Sequence, residues 1–155
     1  MASTALLKAL DAQALTAFLR EQIPLTAAQQ VTVELYQPGL IRIAVPLHPN
    51  RNYRGVGFGG ALASLAIVSG WALVRQSVLE AGLDGHPVVQ HSDCRFLRPA
   101  TSDFVAESRL PGAEEWSRFL DALRTAGRGR VLIETTLSSA GKEVVQHRGT
   151  FAVAV

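Results

Sequence analysis

Twenty consecutive residues, Gly55 to Val74, carry no charge and lie between Arg54 and Arg75. Such a segment must leave water, either as a membrane span or as a buried core element. Gly55, Gly57, Gly59 and Gly60 crowd its first part and predict a loop there. Only Ala61 to Val74 remains as a continuous apolar helix, short of the ~20 residues a bilayer crossing needs. A helix that is apolar nearly all round belongs in a core. The chain is therefore expected to fold around this helix, with no membrane partner.

The flanking segments supply what such a helix needs. Leu6, Leu7, Leu10, Leu15, Phe18 and Leu19 recur at helical spacing over Thr4 to Gln22, with Ser3 or Thr4 as N-cap, a possible break near Asp11 and Pro24 just beyond the end. Val31, Val33 and Leu35 alternate with polar neighbours, and Pro38-Gly39 turns the chain into Ile41, Ile43, Val45 and Leu47. The central helix is expected from about Gly60 to Ala81, ending at Gly82. Strands follow at Val88 to Arg98 and Phe104 to Leu110, then a short helix from Glu114 to Thr125 closed by Gly127. Arg130 to Ser138 and Glu143 to Val153 pair as a last hairpin across Ala140-Gly141-Lys142.

Six strands and one helix to hide predict an α+β domain, with a curved six-stranded antiparallel sheet wrapped around the long central helix and an added N-terminal helix. Residues 1–155 read as a single domain with residues 1–24 as a helical extension. One sheet covers the helix on one side only. A homodimer or dimer of dimers is expected to cover the other, and open sheet edges suit an isologous contact.

Composition narrows the function classes. Cys94 is the only cysteine, which excludes an intrachain disulfide and a Cys-based zinc site. The N-terminus has no cationic stretch ahead of an apolar core, so cytoplasmic residence is expected. Lys8 and Lys142 are the only lysines among 15 basic residues, leaving 13 arginines and a net charge of +2. Arginine's planar fork suits phosphate, so an anionic partner such as a phosphorylated carrier is one reading and simple compositional bias the other. No basic run is interleaved with aromatics, which argues against nucleic acid.

The chemistry is expected in Asn50-Arg51-Asn52-Tyr53-Arg54-Gly55-Val56-Gly57-Phe58-Gly59-Gly60, the loop entering the helix. Glycines at a helix start let a ligand approach the backbone, and the unpaired first-turn amides favour a negatively charged oxygen. The oxyanion of a thioester or ester carbonyl fits that environment, while tight helix packing explains the glycines equally well. Ser64, four residues after Gly60, lies on the same helical face.

These residues resemble the hotdog-fold acyl thioesterases. Members often carry an Asn six residues before a His-Gly-Gly that opens the central helix, and here Asn52 precedes Phe58-Gly59-Gly60 at that spacing. Arg95-Phe96-Leu97-Arg98-Pro99-Ala100 with Asp103 is similar to the strand and turn that follow. With Phe in place of His, the pattern most resembles the thioesterase-type domain that in some bacteria lies C-terminal to an acetyltransferase domain. The resemblance covers roughly residues 25 to 155. It implies hydrolysis of acyl-CoA or acyl-carrier-protein thioesters without a cofactor. Combined with the helix-entry geometry, Asn52, Gly60 and Ser64 are the expected catalytic residues, the amides around Gly59 and Gly60 stabilising the oxyanion while Asn52 and Ser64 hold the attacking water or the substrate, and Phe58 and Gly59 are expected to bind substrate.

One departure stands out. Many of these enzymes place a carboxylate nine residues after the His, as nucleophile or general base, and here that position is Ile67. A non-catalytic module that binds acyl thioesters is therefore the alternative. A hydratase would need a His paired with an acidic residue, which the helix entry lacks. Asn52 either lines the site or shapes the loop through an Asx-turn. Ser64 is either a nucleophile or a hydrogen-bonding group. Strand parity puts Asp93 on the solvated face and Cys94 inside as a small hydrophobe. His48, His86, His91 and His147 have no ligand-like spacing, so no metal is expected. Arg51, Arg54, Arg95, Arg98, Arg128 and Arg130 are the candidates for phosphate.

Overall fold

The alternating segments pair into one sheet, and the uncharged segment becomes the helix inside it. The computed structural model describes residues 8–155. In it the elements are α1 (Ala12–Gln22), α2 (Pro24–Ala28), β1 (Thr32–Gln37), β2 (Leu40–Val45), α3 (Gly59–Glu80), β3 (His86–Phe96), β4 (Phe104–Arg109), α4 (Ala113–Ala126), β5 (Arg128–Ser139) and β6 (Lys142–Ala154). The strands run antiparallel in the order β1-β2-β4-β5-β6-β3. This is the hotdog arrangement expected from the sequence.

Helix α3 packs on the inner face of the sheet. Leu65, Ala66, Leu73 and Val74 join Ile43, Phe104, Ile133, Leu137 and Phe151 in one buried cluster. A chain of hydroxyls registers helix to sheet within that apolar layer: Ser69 Oγ lies 2.7 Å from Ser108 Oγ, which lies 2.6 Å from Thr135 Oγ1. Buried hydroxyls that satisfy one another avoid the roughly 1–3 kcal/mol that each would cost unpaired.

Helix α3 covers the span expected, about Gly60 to Ala81, and two details change. With 22 residues its length alone does not exclude a bilayer, as the count over Ala61 to Val74 did; the burial of 67% of its most apolar stretch inside the fold makes it a core helix. At the N-terminus, residues 8–11 are not helical, and α1 starts after Asp11, whose carboxylate accepts the Ala14 N–H at 2.8 Å. Aspartate is among the best N-caps, which explains the start there. The expected Ser3 or Thr4 cap, with Leu6 and Leu7, lies outside the described residues. Pro24 opens α2 at its first turn, where its missing N–H costs nothing.

The edge strand β3 is the exception to burial. It pairs with β6 on one side only, and Val88, Val89 and Phe96 are 60%, 40% and 54% exposed. The helix runs antiparallel to it: Gly59 packs near the Phe96 ring at one end, and the Trp71 indole donates to the Pro87 carbonyl at 2.7 Å near the other.

Candidate functional site

The loop into α3 is held by its own backbone. Asn52 N–H donates to the Val56 carbonyl at 2.7 Å, and Gly55, at φ +80°, donates to the Asn52 carbonyl at 3.0 Å. The Asn52 side-chain oxygen accepts from the N–H groups of Arg54 and Val56 at 2.9 and 3.3 Å. Of its two readings from sequence, the structure displays the Asx-turn. Gly57 then passes so close to Ala100 that a Cβ would lie 2.9 Å from the Ala100 methyl, and its N–H donates to the Ala100 carbonyl. Glycine at this position lets the loop press against the turn before β4.

Phe58 is the N-cap of α3, and no side chain caps the first turn. The amides of Gly59 and Gly60 therefore keep the donor capacity of an open helix N-terminus, where the dipole favours an anionic or carbonyl oxygen. The exposed Phe58 ring folds back over Gly60, in the space that a Cβ there would need. Ser64 points to a different partner from Asn52: its hydroxyl donates to Gln29 Oε1 at 3.4 Å, and Gln29 Nε2 donates to the Ala61 carbonyl at 3.2 Å. The buried Asn50 completes this knot by donating to the carbonyls of Gln29 and Pro46. Phe58, Gly59, Gly60 and Ser64 thus share one end of α3, while Asn52 shapes the loop leading to it.

The side of α3 that the sheet leaves uncovered starts at this end. Gly60, Ala63, Ser64, Ile67 and Trp71 lie along it, all only partly buried or exposed. On the neighbouring edge strand, Phe96, Cys94, Ser92 and Val89 share the inner parity, since their ladder partners Val145, His147, Gly149 and Phe151 belong to the inner face. Ile67, at the position where the resembled enzymes carry a carboxylate, lies on this uncovered side without an ionisable group.

Ionisable chemistry does occur on the sheet wall, in residues that sequence spacing alone did not connect. His147 on β6 is 2% exposed, and its Nε2 lies 2.8 Å from the hydroxyl of the exposed Ser92 on β3. Burial holds the His147 pKa below the usual histidine value, with Asp93 pulling weakly the other way. The Nδ1 atom is buried without a hydrogen-bond partner among the described residues. The Cys94 thiol is pushed up by burial and by Asp93, so it stays protonated. Shared parity on paired strands was the available signal for Ser92 and His147; their 55-residue separation hid the pairing. Nothing local in the sequence marked Gln29, and Asn50 was legible only as the start of the loop.

The arginines are dispersed. Arg51 holds the His48 carbonyl and Arg98 the Glu143 carbonyl, whereas Arg54, Arg95, Arg128 and Arg130 are exposed. Arg128 and Arg130, with His86, line a cleft of about 700 Å³ beside β3. No three His, Cys, Asp or Glu side chains among the described residues cluster as a metal site would require.

Residues 12–155 match the model of the YiiD_C family, described as "Putative thioesterase (yiiD_Cterm)". Solved structures agree in fold. A protein of unknown function from Chlorobaculum tepidum TLS superposes with a TM-score of 0.88 at 22% identity, covering 94% of this chain and 98% of that one. A thioesterase, described as putative, from Shewanella oneidensis gives 0.82 at 23%, covering 93% and 97%. A Pseudomonas aeruginosa protein described as a probable thioesterase gives 0.83 at 26%, covering 95% and 97%.

Proposed function

The chain belongs to the YiiD_C family of putative thioesterases, and from that premise we propose that it hydrolyses acyl thioesters whose leaving group is coenzyme A or an acyl carrier protein. The observation that carries this reading is the partly exposed side of α3 beside the edge strand β3, with an uncapped helix N-terminus at its end. An acyl chain is apolar and its thioester arm is rich in carbonyls. This surface offers Ile67, Trp71, Val89 and Phe96 to the former and the Gly59 and Gly60 amides to the latter. Ser64 is the hydroxyl nearest those amides along the helix, and Asn52 fixes the loop that presents them.

The working unit in this proposal is a homodimer joined along β3. An edge strand of 11 residues, paired on one side only and with apolar side chains exposed on both faces, is one that a second copy can extend, covering the exposed side of α3 as well.

Ile67 favours a second reading, a module that binds acyl thioesters without cleaving them. Steady-state assays with acyl-CoA esters of two to sixteen carbons and with acyl carrier protein separate the two. Thiol release above the buffer rate supports hydrolysis. Saturable binding without turnover supports the module.

A further inference from the structure

We propose that Ser92 and His147 are the nucleophile and general base of this thioesterase, replacing the carboxylate that Ile67 displaces from α3. The proposal rests on thioester hydrolysis being the protein's reaction.

The geometry is built by the sheet. Ser92 and Gly149 are ladder partners, as are Cys94 and His147, so all four positions share the inner face. Gly149 permits the pairing: a Cβ there would lie 2.8 Å from His147 Cε1 and 3.0 Å from Phe151 Cε2. Without that Cβ the imidazole leans over Gly149 and places Nε2 2.8 Å from Ser92 Oγ. This is the contact a nucleophile–base pair requires. The two members differ in exposure as their roles demand: Ser92 is exposed, while His147 is buried beneath it. A buried imidazole with Nδ1 unpartnered is a costly arrangement, and such exceptions need a reason beyond packing. The charged and titratable groups around the ring are Asp93 and Cys94 on β3; β5 contributes Thr135, its ladder partner. The neutral imidazole that burial favours is the form that can accept a proton.

The steps balance without a cofactor. Ser92 Oγ attacks the thioester carbonyl carbon while His147 Nε2 takes the hydroxyl proton. The tetrahedral oxyanion collapses, the C–S bond breaks, and the departing sulfur takes that proton from His147, leaving an acyl ester on Ser92. Water then attacks the ester, giving its proton to His147, and the free acid leaves as Ser92 recovers the proton. Phe96, which touches the α3 N-terminus, lies four residues from Ser92, about 13 Å along the strand. Within one protomer the Gly59 and Gly60 amides therefore hold a carbonyl of the thioester arm, and the reacting carbonyl sits at Ser92.

The test compares wild-type protein with Ser92→Ala, His147→Gln and the double variant, using an acyl-CoA that the wild type turns over. Ser92 is exposed, so Ser92→Ala is expected to keep its far-UV circular dichroism and remains decisive even if the buried His147→Gln fails to fold. Each folded single variant should lose on the order of 10³-fold or more in kcat with KM little changed, and the double variant no more than the worse single one. Acid quenching during turnover, followed by peptide mass analysis, should find the acyl group on Ser92. Hydrolysis within 10-fold of wild type in Ser92→Ala, or an acyl group on another residue, overturns this proposal alone. Absence of hydrolysis by the wild type overturns the proposed function and takes this proposal with it.

Discussion

Gly70 in α3 meets the ring of Phe151 on β6 so closely that a Cβ on Gly70 would lie 2.8 Å from Phe151 Cε2 and 2.9 Å from Cζ. Both residues are buried, and the ring cannot swing into solvent. Alanine at this helical position gains up to ~1 kcal/mol of intrinsic propensity. Overpacking a close-packed core costs typically ~1–3 kcal/mol. Gly70→Ala is therefore expected to lower the urea midpoint with an unchanged denaturant slope, and a higher midpoint would show that the sheet yields.

His147 predicts a pH dependence of stability. Its folded pKa is below the ordinary 6.5, so the unfolded chain binds the proton more readily. The stability held by the neutral buried ring is fully present above about pH 6.5 and is lost as pH falls through the depressed folded value. Glu107, held down chiefly by its hydrogen bond from Arg42, adds its own loss only at and below the carboxylate range near 4.5. Chemical denaturation at stepped pH should show a decline beginning just below 6.5, and His147→Gln should remove it. A wild-type profile flat from pH 7 to 5 would contradict the buried neutral ring.

Much of the fold was legible because it follows from period and punctuation. The two-residue alternation around Val33, Ile43 and Ile133 and the glycines at 39, 82, 127 and 141, all at positive φ, mark strands and stops locally. The break at Asp11 was legible beside the leucine spacing, and α1 starts there under the Asp11 cap. The site was less legible. Gly59 and Gly60 could be placed at a helix entry, but the Gln29–Asn50–Ser64 knot and the Ser92–His147 contact join segments 21 to 55 residues apart. Such pairings are set by sheet register and helix docking, which no local pattern encodes.

At the helix entry, Gly60→Pro should reduce kcat/KM severely, because proline distorts the first turn and removes one of its free amides. Ser64→Ala should cost about 10-fold or less if Ser64 positions substrate. Asn52→Ala removes the acceptor for two loop amides and should act through the same turn. Unchanged kcat/KM in both alanine variants, with native circular dichroism, would detach this end of α3 from the reaction.

The β3 edge makes an assembly prediction. Charging both faces with Val88→Lys and Val89→Lys should turn a dimer into a monomer in sedimentation velocity at micromolar concentration, since lysine on an edge strand opposes edge pairing. A wild-type protein that sediments as a monomer would remove the dimer from the proposal.

The claim that this protein is a thioester hydrolase is tested most directly by the fate of the acyl group in ¹⁸O-labelled water. With an acyl-CoA as substrate, the account predicts one free thiol and one carboxylic acid per turnover, the acid carrying one ¹⁸O atom from solvent. Saturable binding with neither thiol nor labelled acid above the protein-free rate would contradict it.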